Sequence, residues 1–169
     1  MIKANEETIN YGVKLDLIQA DIRNICFKKK FFALLNLFTS FGYFETDEEN
    51  FLFVKHSSYF LKESGFYILD YFNKDYLAKN LVPESKRIIE GTSIVEYRKI
   101  EKGRVLKNIK LTDGNRQREF IESVRLYDWK FLIDEFSKYG FKAYKLFGDY
   151  YGSDFDENNS PRLIVIFQI

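Results

Sequence analysis

A chain of 169 residues has the length of one domain, and a hydrophobic content of 46% supplies material for a core. With 26 Lys and Arg against 25 Asp and Glu, the net charge of +1 excludes a basic nucleic-acid-binding tail and speaks against a generally basic surface. One cysteine, Cys26, excludes a disulfide framework and a cysteine zinc site; no apolar run reaches membrane-spanning length, and MIKANEETIN does not read as a signal peptide. The expectation is a soluble, cytoplasmic protein with no membrane or nucleic-acid partner. Aromatic residues are abundant (18 Phe, 12 Tyr and 1 Trp), whereas Gly (9) and Pro (2) are scarce. The closest glycines, Gly148 and Gly152, are too far apart for a G-x-G loop.

In chain order, Ile2 to Tyr11 reads as a short helix ended by Gly12. Val13 to Ala20 (VKLDLIQA) alternates as a strand does, and Asp21-Ile22-Arg23-Asn24 follows as a polar turn. Phe31 to Phe38 (FFALLNLF) is an almost continuous apolar run, the pattern of a strand buried on both faces. Thr39 to Tyr43 is a loop. Thr46 to Glu49 (TDEE) is a capping-box signature that opens a helix running to about Ser64, ended by Gly65. Phe66 to Phe72 (FYILDYF) is a second apolar strand. A strand, helix and strand in this order predict a parallel pair.

From Arg87 to Tyr127 the pattern becomes extended and β-branched. Ile88–Ile100, Arg104–Thr112 and Arg116–Tyr127 are separated by turn signals at Glu101-Lys102-Gly103 and Asp113-Gly114. This predicts a three-strand antiparallel meander. Neither of its faces is cleanly apolar, so it is expected to lean on something else. Trp129, Leu132, Ile133 and Phe136 then recur at helical spacing, between Asp128 as N-cap and Gly140 as terminator. Phe141–Phe147 and Arg162–Ile169 close the chain as strands.

Six stretches, in order, resemble the class I S-adenosylmethionine-dependent methyltransferases of small molecules: LIQADIR, NLFTSFGYF, LDYFN, ESVRLYDWKFLIDEFSKYGF, FGDYYGSDF and SPRLIVI. The resemblance implies an α/β fold: a partial Rossmann-like sheet with a terminal antiparallel strand pair and the meander as an insertion over the substrate site. Residues 1–169 are expected to form a single, truncated domain of this kind, with 87–127 as the substrate cap. Leu15–Ala20 would be the family's third strand, Leu34–Phe38 the fourth and Tyr67–Tyr71 the fifth.

The match departs from the family where Phe32 replaces a usual Asp. The family's first strand, glycine-rich loop and acidic residue after the second strand are also missing from these 169 residues. The expected consequences are a third strand without a neighbour, an open apolar edge on Leu34–Phe38, and weakened binding of S-adenosylmethionine. Two accounts fit: a shortened version of a longer enzyme, which is preferred, or a naturally short chain whose edge a partner completes.

The resemblance further implies cofactor contacts from Asp21, through the adenine amino group, from the backbone at Ile22 and Arg23, and from Asn36 at the end of the central strand. The residues themselves equally allow Asp21 to cap a turn and Asn36 to bond only its own loop. Phe41 and Tyr43, beside Phe44, are candidates to wall a methyl-acceptor pocket or to serve the core. Six of the eight arginines fall within 87–125, giving that stretch a net charge of +4 against −3 elsewhere. A basic cap suits an anionic acceptor, and Arg125 and Tyr127 are its best candidates; an ordinary solvated face is the alternative. His56, Cys26, Tyr59, Phe60 and Leu61 read as surface or packing residues, and no metal-ligand cluster is visible. The resulting expectation is methyl transfer to a small molecule with no identifiable catalytic base. The rival is a non-catalytic methyltransferase remnant that dimerises through its open edge or meander.

Overall fold

In the computed structural model of the protein, residues 15–169 are described; the helix expected at Ile2–Tyr11 with its terminator Gly12, and Val13 and Lys14 of the first expected strand, lie outside them. A single-turn helix at Ile22–Asn24 precedes β1 (Phe31–Asn36), α1 (Asp47–Phe60) and β2 (Leu61–Phe72). Next come α2 (Lys74–Asn80), β3 (Glu84–Ile89), β4 (Thr92–Glu101), β5 (Arg104–Asp113) and β6 (Arg116–Arg125). The chain closes with α3 (Trp129–Ser137), β7 (Lys142–Phe147) and β8 (Arg162–Gln168).

The strands form two sheets. The central sheet has the order β1-β2-β8-β7, with β1 parallel to β2 and the other pairs antiparallel. β2 carries the core. Tyr67, Leu69 and Tyr71 alternate along it and are fully buried. They meet Leu163, Val165 and Phe167 of β8, and α3 covers them with Leu132 and Phe136. Phe136 stacks on Phe167 at 4.0 Å between ring centres, and Phe41, Phe51 and Tyr127 continue the cluster edge to face. Each aromatic buried this way contributes about 1.5–3 kcal/mol through apolar area removed from water. The second sheet is an antiparallel meander of β3-β4-β5-β6.

The α/β class, the parallel β1–β2 pair, the terminal antiparallel strands and the capping box agree with expectation. Thr46 accepts from the Glu49 amide, and the Glu49 side chain accepts from the Thr46 amide. Other details differ. Leu15–Ala20 forms no strand, because alternation defines a face but a strand also needs a hydrogen-bonding neighbour, and among the described residues none lies beside it. β1 stops at Asn36 and is not buried on both faces; Phe32 and Leu35 are exposed, since among the described residues β1 is a sheet edge.

α1 ends at Phe60 because Leu61 turns extended and is buried in the sheet core. Gly65 therefore lies within β2, in an irregular stretch before the regular pairing resumes at Phe66. Tyr59 points to solvent, while Phe60 and Leu61 are buried. The meander has four strands: Glu90 (φ 49°) and Gly91 (φ 84°) make a tight turn that divides the first expected strand.

Candidate functional site

In an open α/β sheet, ligands gather beyond the carboxyl ends of the parallel strands. Here those ends are Asn36 on β1 and the Asp70–Phe72 end of β2. Asn36 donates through Nδ2 to the Tyr67 hydroxyl at 3.1 Å and accepts from the Ser40 hydroxyl at 2.7 Å. It thus ties the strand to the loop that follows. Burial pushes the Tyr67 hydroxyl well above its ordinary range, so it stays a neutral hydrogen-bonding group. Beyond Asn36 the chain turns through Phe38 and Thr39, both at φ 57°, a conformation that side chains disfavour.

Asp21 caps the turn Ile22–Asn24, accepting from the Arg23 amide at 3.0 Å. The Arg23 guanidinium also grips the Asp21 carboxylate, with Nη2 at 2.7 Å, and holds its pKa below the ordinary value. The same guanidinium reaches Glu49 of α1 at 2.6 Å and lies 4.6 Å from the centre of the Phe44 ring. Asp21 therefore acts as a turn cap, and its carboxylate remains partly exposed. Asp21, Ile22 and Arg23 stand at the start of α1, and Asn36 at the end of β1.

The loop from Phe41 to Phe44 is fastened to the base of the meander. Gly42 accepts from the Arg125 amide at 2.7 Å, and Arg104 donates to the carbonyls of Gly42 and Phe44. The Tyr71 hydroxyl donates to the Arg125 carbonyl. Gly42 has φ 93°, and a Cβ there would lie 3.2 Å from that carbonyl, so glycine permits the approach. Phe41 is in the core and Tyr43 is half exposed.

Arg125 pairs with Asp47 at 3.3 Å. Tyr127, only 4% exposed, donates to the same carboxylate at 2.7 Å and accepts from Asn50 at 3.2 Å. Burial, then the bond to Asp47, pushes the Tyr127 hydroxyl far up. Arg125 and Tyr127 thus join the meander to α1. The meander's positive charge is partly spent within the sheet, since Arg87, Arg98 and Lys107 converge on Glu96, which is 2% exposed.

Sequence reasoning missed Asp70, Tyr150 and Arg162. Asp70 is buried in β2 and pairs with Arg162 of β8, and Tyr150 donates to it at 2.8 Å. The available signal was an acid inside an apolar strand, LDYF. A separate cavity of about 760 Å³ opens beside β1 among Ile18, Ile25, Phe27, Phe31, Leu34 and Phe53. Cys26 lines it as an exposed thiol. His56 is half-buried on α1 next to Tyr59. Asp75, Asp128 and Glu157 bring carboxylate oxygens within 4.8 Å of one another. Asp128 caps α3 and Glu157 faces Lys130, so these two are engaged in the fold.

No protein-family model and no curated protein sequence matches the chain. Solved structures do. An S-adenosylmethionine-dependent methyltransferase from Clostridium acetobutylicum ATCC 824 superposes with a TM-score of 0.86 at 17% identity, over 99% of this chain and 70% of that one. The CcbJ methyltransferase from Streptomyces caelestis gives 0.76 at 11% identity, over 89% and 62%. CalS10, an amino pentose methyltransferase from Micromonospora echinaspora, gives 0.62 at 17% identity, over 88% and 62%. The chain therefore spans less than two thirds of two of these three. At such identities the shared property is architecture, and this chain has the fold of the S-adenosylmethionine-dependent methyltransferases.

Proposed function

We propose that the protein belongs to an S-adenosylmethionine-dependent system that methylates a small molecule bearing an anionic group. What supports this reading most is the fold likeness at a TM-score of 0.86, together with polar groups at the strand ends where such a fold takes its ligand. The methyl donor, when bound, supplies an activated methyl group, so the protein's task is to align an acceptor and exclude water. Asp21 would receive the adenine amino group on its exposed carboxylate edge, beside the backbone of Ile22 and Arg23, and Asn36 would face the donor from the strand end. Tyr43 is exposed enough to meet an acceptor. Phe41, Arg125 and Tyr127 would shape that pocket from behind. The net positive charge of 87–125 favours an anionic acceptor.

The 169 residues hold no glycine-rich backbone cradle, and such a cradle is what normally lets N–H groups close on a nucleotide-like ligand. Binding by this chain is therefore expected to be weak. Amide NMR with rising S-adenosylmethionine tests this. Saturable shifts at Asp21–Arg23 and Asn36–Ser40 support the reading, and a spectrum that moves elsewhere or nowhere overturns it. Tight binding would overturn the weakness argument alone. A cytoplasmic location is part of the same proposal.

A second reading is favoured by the meander. Only Glu96 and Val124 are buried among its four strands, and Ile88, Tyr97 and Ile121 share one exposed face. These apolar side chains stand among charged ones such as Lys99 and Lys110 on the same face, and a second copy of this chain would cover them. Sedimentation of the wild type and of Ile121→Glu tests the dimer: a concentration-dependent dimer lost in the variant supports it, and a wild-type monomer at high concentration sinks it.

A further inference from the structure

The carboxyl end of the central sheet contains one buried ion pair that the proposed chemistry does not use. Asp70 is 1% exposed. Arg162, the first residue of β8, donates to its Oδ1 through Nε at 2.9 Å and through Nη2 as well. The other carboxylate oxygen accepts from the Phe38 amide at 2.8 Å and from the Tyr150 hydroxyl at 2.8 Å. Arg162 also donates to the Thr39 hydroxyl at 2.9 Å, and the Thr39 amide donates to the Asp70 carbonyl at 3.1 Å. The group therefore fastens both residues of the Phe38–Thr39 turn, by backbone and by side chain.

That turn needs fastening. Two successive non-glycine residues occupy the left-handed region, and one is β-branched, for which the conformation is especially unfavourable. The Phe38 side chain is 80% exposed, so its own packing does not hold the turn. Strained backbone of this kind persists where its surroundings over-determine it. Here the surroundings are hydrogen bonds to a desolvated charge, which are stronger than neutral ones.

We propose that Asp70, Arg162 and Tyr150 are positioning residues. They clamp the Phe38–Thr39 turn at the end of β1, so that the ligand end of the sheet is built before any ligand arrives. Tyr150 extends the clamp to the loop before β8, joining three chain segments at one carboxylate. The functional consequence rests on the methyl-donor reading given above, but the conformational claim does not.

Amide hydrogen exchange on the whole chain tests the clamp. Arg162→Lys loses the forked contact, and exchange at the Phe38 and Thr39 amides should quicken about tenfold, the size expected for one charge-assisted bond. Tyr150→Phe deletes a single partner from an exposed side chain, is safe for folding, and should quicken the same amides about threefold. Amides of α1 and β4 should not change in either variant. Adding Thr39→Asn to Arg162→Lys should restore slow exchange, because asparagine enters the left-handed region readily. Unchanged exchange at Phe38 and Thr39 overturns the proposal, as does acceleration spread evenly over β2 and β8. Titrating S-adenosylmethionine on the same samples separates the two claims. A turn that loosens in Arg162→Lys in a chain that never responds to the ligand retains the clamp and removes the methyl-donor reading. Equal affinity in wild type and Arg162→Lys, with the turn loosened, overturns the clamp's role in binding.

Discussion

The central sheet and the meander are built by opposite means. Around β2 and β8 the order comes from aromatic packing: Phe136 lies on Phe167, Tyr67 meets Phe136 and Phe141, and the charge buried there is that of Asp70, paired with Arg162. In the meander the order comes from backbone ladders of nine and ten residue pairs and from cations gathered on one glutamate. Packing of the first kind is cooperative and sets global stability. Ladders whose faces are solvated open locally and at lower free energy. The two regions should therefore respond to different perturbations.

The largest effect is expected in the central sheet. Phe136→Ala removes the ring at the centre of the aromatic cluster and should cost about 3–5 kcal/mol in denaturant unfolding, through lost burial and the cavity left behind. If it costs less than a surface change, the contrast between the regions fails. In the meander, Glu96→Gln leaves Arg87, Arg98 and Lys107 facing one another. All three reach solvent, so the cost should be about 1–2 kcal/mol. It should be seen as faster exchange in β3 to β5, with β2 and β8 unaffected.

Acid should separate the regions as well. Burial raises the Glu96 carboxyl, but Lys107, with Ser85 and Arg98, outweighs it and holds the pKa below its ordinary value. A depressed folded value means that the cluster contributes fully above the unfolded carboxylate range and loses its contribution as pH falls through the folded value. Meander amides should therefore lose protection below about pH 4.5 while the aromatic core keeps its own. The smallest effect is expected where the regions touch. Tyr127→Phe keeps the ring in the core, deletes the bond to Asp47 and should cost about 1 kcal/mol; a larger loss would mean that the Asn50 amide, which also donates to this hydroxyl, is left without a replacement partner.

Local patterns were legible in the sequence, and long-range ones were not. Thr46 and Glu49 announced α1, and the spacing of Trp129, Leu132, Ile133 and Phe136 announced α3, because both signals lie within one or two helical turns. The apolar run Phe31–Phe38 announced a strand but misplaced its burial: a hydrophobic run does not tell how many neighbours a strand has, and among the described residues β1 has one. Leu15–Ala20 failed for the same reason. The Glu90–Gly91 turn was hidden because glutamate is an unusual residue at positive φ. In the candidate site, Asp21 and Asn36 could be named from local signals. Asp70 and Arg162 are separated by 92 residues, and nothing in either neighbourhood points to the other.

Glu49 has a consequence for how the chain tolerates change in length. One of its oxygens closes the capping box on Thr46, and the other holds Arg23. The interval from Thr46 to Glu49 is thus read twice, once by the helix and once by a turn more than twenty residues away. Inserting a single residue there would rotate the carboxylate by about 100° around the helix axis and release both partners together. Insertions are usually absorbed at exposed loop tips; this exposed helix start is instead a place where the count of residues is fixed.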